Sequence, residues 1–113
     1  VIGYGASGRA NTLIQYCGID ENLLDYIIDD APMKQGYYTP GSHIKICSRD
    51  ILKREKPDYI LIFAWSFFNE IIEKNMKYLQ EGVKFIIPLP KVKIINYESG
   101  LIIEKIYETQ KGA

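Results

Sequence analysis

No stretch narrows the choice of fold more than the first eighteen residues, VIGYGASGRANTLIQYCG. An apolar run breaks into Gly3, Gly5 and Gly8, and Ala10, Leu13, Ile14 and Cys17 then recur at helical spacing up to Gly18. A strand, a glycine turn and a helix in that order predict the opening unit of a parallel α/β sheet, because the crossover must bring the next strand back beside the first. The glycine spacing is also G-x-G-x-x-G. A turn of that kind lets backbone approach a phosphate, and the free N–H groups at the helix start favour an anion.

The rest of the chain continues the alternation. LLDYIIDD reads as a second strand ended by Asp29 and Asp30, and the helix-hostile APMKQGYYTPGS that follows is expected to be a long loop. HIKICS suits an edge strand, and SRDILKREKP a short helix with Ser48 as N-cap and Pro57 beyond its end. DYILIFAW is an almost unbroken apolar run, as a central strand buried on both faces requires. In SFFNEIIEKNMKYLQEG, Phe68, Ile71, Ile72, Met76 and Leu79 form one helical stripe, with Gly82 as the stop. VKFIIPLP is a fifth strand, and KVKIINY and LIIEKIYE, separated by ESG, predict a terminal hairpin or a reversed pair of edge strands. The expected architecture is a single α/β domain over residues 1–113, an open, mostly parallel sheet of order about 3-2-1-4-5 with helices on both faces. Ligands of such sheets sit beyond the carboxyl ends of the strands, where strand order reverses.

Charge excludes several classes of partner. Fourteen Lys and Arg balance fourteen Asp and Glu and are scattered, which argues against nucleic acid and against an anionic membrane surface. No apolar run approaches a bilayer's thickness. Cys17 and Cys47 lie far apart and His43 is the single histidine, a set that suggests neither a zinc site nor a disulfide framework and suits a reducing cytoplasm. A chain that opens directly in an apolar strand at Val1 reads as a piece of a longer protein.

The chemistry-bearing residues gather on the expected rim. Gly5, Ala6, Ser7, Gly8 and Arg9 form the first loop, and Arg9 opposes the helix dipole unless an anion is bound there. Asn11 can add a hydrogen bond to the same ligand. Asp29 ends the second strand about twenty residues after the loop, where a dinucleotide fold offers a carboxylate to ribose hydroxyls. Lys34, Tyr38, Thr39 and His43 lie in the long loop, where tyrosine stacking and a lysine–phosphate contact can build a wall around a nucleotide or sugar. Trp65 closes the central strand on the same side. Each has a plainer structural reading: glycine for a tight turn, a solvated arginine, a connector packed on the sheet, a tryptophan capping the core.

Four stretches in order, GYGASGRANTLIQYCGI, LDYIIDDAPMKQGYYTPGSHIKI, PDYILIFAWSFFNEII and FIIPLP, resemble the C-terminal domain of the nucleotide-sugar C-methyltransferases and cover most of the chain. Two positions depart from that pattern: Ser66 stands where asparagine is usual, and Tyr37 where a basic residue is common. The resemblance implies a Rossmann-like domain placed after a zinc-binding module and a domain that binds S-adenosylmethionine, so that methyl donor, zinc and catalytic base all lie outside these residues. It implies a substrate-holding role toward a nucleotide-linked keto-sugar in deoxysugar biosynthesis, with Gly5, Ala6, Ser7, Gly8, Arg9, Asn11, Asp29, Lys34, Tyr38, Thr39, His43 and Trp65 as candidate contacts. A nicotinamide dinucleotide-binding domain and a non-catalytic packing or dimerisation module are the competing readings.

Overall fold

The structure is a computed structural model, and it describes residues 1–6, 8–20, 22–39, 41–63, 67–88 and 92–107. Its elements in chain order are β1 (Ile2–Tyr4), α1 (Gly8–Cys17), β2 (Ile27–Ile28), β3 (Ile46–Cys47), a 3₁₀ turn (Arg49–Lys53), β4 (Tyr59–Ile62), α2 (Phe68–Lys74), α3 (Met76–Gln80), β5 (Lys84–Ile87), β6 (Val92–Glu98) and β7 (Leu101–Tyr107). They form one seven-stranded sheet of order β3-β2-β1-β4-β5-β6-β7. The pairs from β3 to β5 are parallel, and β5–β6 and β6–β7 are antiparallel. The expected order is therefore present, and the expected terminal hairpin extends the same sheet.

Strand pleating sorts the apolar side chains into two cores. Ile28, Tyr4, Ile60, Ile62, Phe85, Ile87 and Ile95 point to one face, where Leu52 of the 3₁₀ turn, Ile71 and Ile72 of α2 and Leu79 of α3 cover them. Ile27 points to the other, where Ala10 and Ile14 of α1 pack with Leu24, Ile44 and Phe63. Gly3 lies on this second face by register with Ile27 and Leu61. A Cβ there would sit 2.5 Å from Cε2 of Phe63, so the first glycine of the motif makes room for that ring. Gly5, with φ of 98°, is the glycine that the turn itself demands.

Three elements depart from the expected boundaries. The helix expected after Ser48 is a five-residue 3₁₀ turn; Ser48 does cap it, accepting from the Asp50 N–H. The single helix expected over residues 66–81 is broken at Asn75. There the Asn75 N–H is shared between the carbonyls of Ile71 and Ile72, and its Nδ2 donates to the Ile71 carbonyl at 2.7 Å. An asparagine side chain that competes for backbone partners interrupts the ladder in this way. Finally, the long loop is not free of pairing. Gly36 N–H donates to the Ile46 carbonyl, Ile46 N–H to Tyr37, and Thr39 N–H to Ile44, while Tyr38 bridges Lys45. Residues 36–39 thus lie antiparallel beside β3 and close that edge of the sheet.

Candidate functional site

The two aspartates that end β2 point to opposite faces, because neighbouring residues of an extended strand alternate. Asp29 turns toward the glycine turn. Its Oδ2 accepts the Ala6 N–H at 2.8 Å and its Oδ1 accepts the Ala31 N–H at 2.8 Å. The Lys34 ammonium donates to the Ala6 carbonyl at 3.0 Å and lies 3.7 Å from Asp29 Oδ2. Gln35 donates from Nε2 to the Asp29 carbonyl. The turn after β1, the end of β2 and the start of the long loop are thereby tied together at the carboxyl ends of the strands. A carboxylate has about four acceptor positions, so Asp29 keeps acceptor capacity beyond its two backbone donors.

Asp30 turns to the other face and gathers a second network. Its Oδ2 accepts the Tyr4 hydroxyl at 2.9 Å and the Lys74 ammonium at 3.0 Å, and its Oδ1 lies 3.4 Å from Arg49 Nε. Arg49 also donates from Nη1 to the Lys74 carbonyl. Burial alone would favour the neutral acid, but the bonds from Lys74 and Tyr4 and the field of Arg49 hold the carboxyl below the ordinary aspartate value. Burial pushes the Tyr4 phenol up to about 12; the bond to Asp30 acts in the same direction, and a bond with the Asn75 side chain opposes it. Asn75 is fully buried, and its Oδ1 has no partner.

The other expected contacts divide. Thr39 is buried, its Oγ1 accepting the Ile44 N–H and hydrogen-bonded to the Ser42 hydroxyl, so this side chain shapes its own loop. Tyr38 is exposed beside Lys45, and His43 is exposed with a left-handed φ of 55° while its N–H closes the turn on the Thr39 carbonyl. Gly8, Arg9 and Asn11 lie in the first two turns of α1. The side chains of Arg9 and Asn11, and the whole of Ser7, Trp65 and Ser66, lie outside the described residues. The structure thus brings Gly5, Ala6, Asp29 and Lys34 together. Sequence reading passed over Ala31, Gln35 and the Asp30 network; the doubled aspartate at a strand end was the available signal, since alternation sends one carboxylate to each face.

Among the described residues, no group of three or more His, Cys, Asp or Glu side chains is placed to hold a metal ion. No described helix is long and apolar enough to cross a membrane.

Comparison with known proteins bears on the same stretch of chain. The C-methyltransferase NovU of Streptomyces niveus is 37% identical over 101 residues, which is 89% of this chain and 24% of that relative. The chain therefore spans about a quarter of the relative's length. Residues 1–90, which hold the glycine turn, both aspartates and all five strands of the parallel part of the sheet, match a family described as the C-methyltransferase C-terminal domain. By that match the chain belongs to the family of C-methyltransferase C-terminal domains.

Proposed function

We propose that this domain holds the substrate of an S-adenosylmethionine-dependent C-methyltransferase whose substrate is a nucleotide-linked keto-sugar. The observation that carries the reading is the Asp29 carboxylate seated on the Ala6 N–H with the Lys34 ammonium beside it. That pair sets a hydroxyl acceptor and a phosphate-seeking cation next to each other on the rim. A sugar diphosphate presents both matching groups. Because Asp29 already occupies the first N–H after the turn, the phosphates meet Lys34 and the start of α1, and Asp29 meets a hydroxyl.

The methyl donor supplies an electrophilic methyl on a sulfonium. The sugar must lose the proton beside its ketone; the C–H electron pair then forms the new C–C bond as the sulfur leaves with its own pair. A base outside this chain takes the proton. This domain's part is to fix the sugar nucleotide so that the acidic carbon faces that base, a gain through orientation.

The test is steady-state kinetics of the complete enzyme carrying Asp29→Asn or Lys34→Ala. Loss of one charge-assisted contact is worth about 1.5–3 kcal/mol, or about ten- to a hundredfold in affinity. KM for the sugar nucleotide rises by that factor while KM for the methyl donor is unchanged. Unchanged sugar KM in both variants would remove the substrate-holding role.

A further inference from the structure

The two faces of the sheet are covered unequally. The 3₁₀ turn, α2 and α3 cover one face as far out as Ile95 of β6. On the other, the buried side chains of α1 cluster with Leu24, Ile27, Ile44 and Phe63, and with nothing from β5, β6 or β7. Register carries one row across this second face: Ile27, Gly3, Leu61, Ile86, Ile94, Lys105. From Ile86 outward, no member of this row belongs to the core that α1 closes. Ile86, Ile94 and Ile103 are half-buried, Val92 is 39% exposed and Leu101 is 65% exposed. The β3 edge of the sheet is closed by residues 36–39, whereas β7 is the last strand at the opposite edge.

We propose that the α1-side face of β5, β6 and β7 is a docking surface for another domain of the same polypeptide in the longer methyltransferase. This rests on the reading above. The relative has about four times the matched length, so a member of this family of that size carries ample chain to cover the strip. Lys84, Asn96, Glu98 and Lys105 interleave with the apolar side chains by register, two cations to one carboxylate, so the surface fits a largely apolar partner with acidic side chains opposite Lys84 and Lys105.

Hydroxyl-radical footprinting tests this by comparing the 113-residue chain with the longer polypeptide that contains it. Leu101 and Ile103 are oxidised readily in the short chain. In the longer one their rates fall to that of buried Phe85, which serves in both as the control for folding. Equal rates in the two polypeptides overturn the proposal. So does protection in the short chain that grows with concentration, because the occupant is then a second copy. Protection in a longer polypeptide that transfers no methyl group upholds the docking surface and refutes the methyltransferase reading.

Discussion

At Gly3 and Asp29 single atoms decide the architecture of the rim. Gly3 is required by Phe63, whose ring approaches the strand where a Cβ would stand. Gly3→Ala is therefore overpacking, expected to cost about 1–3 kcal/mol in urea unfolding without altering any rim contact. The sequence pattern grouped Gly3 with the turn, because periodicity shows where a glycine is and not which ring lies against it. Asp29 was legible by position alone, as an acid closing the second strand. That it would accept Ala6 and Ala31 was not, since those bonds depend on how the chain bends after residue 30. Asp29→Ala leaves two backbone N–H groups without their carboxylate. It is expected to destabilise by about 1–3 kcal/mol and to speed exchange of the Ala6 and Ala31 amides, both measurable by hydrogen exchange.

Between elements, Asp30 is the fastening: it joins the end of β2 to β1 through Tyr4, to the 3₁₀ turn through Arg49 and to α2 through Lys74. Its folded-state value lies below the ordinary 3.8, so the unfolded chain binds the proton first as pH falls. The stabilisation is present above about pH 4 and is lost as pH drops through the folded-state value. The side chain is partly exposed, so the effect is modest, and Asp30→Asn is expected to flatten the acid limb of a stability–pH curve followed by urea titration. Strand order was readable from the alternation of apolar runs with crossovers. The break at Asn75 was not, because Phe68, Ile71, Ile72, Met76 and Leu79 keep one stripe across it, and only the buried amide shows the ladder changing hands. The loop over residues 31–43 hid an extended segment for a similar reason: Gly36 and Pro40 look like turn punctuation, and the pairing of residues 37–39 is with the strand that follows.

At the scale of the molecule, one face of the sheet is held by a large core and the other by a small one. The large core closes over two phenols, Tyr4 and Tyr26, that burial pushes up to about 12 from 10.0. A raised value means that the unfolded chain loses these protons first. Stability is complete below pH 10 and falls between pH 10 and 12, so alkaline unfolding followed by circular dichroism is expected within that interval. The ligand proposed for the rim at Ala6, Asp29 and Lys34 is a nucleotide-linked sugar. Amide chemical shifts of the 113-residue chain, followed by NMR during titration with a nucleoside diphosphate sugar and separately with NADH, test it directly. Saturable shifts are expected at Ala6 and at residues 29–31 and 33–35 with the sugar nucleotide, at lower concentration than any caused by NADH. Shifts with NADH alone, or none at these residues with either ligand, would contradict that proposal.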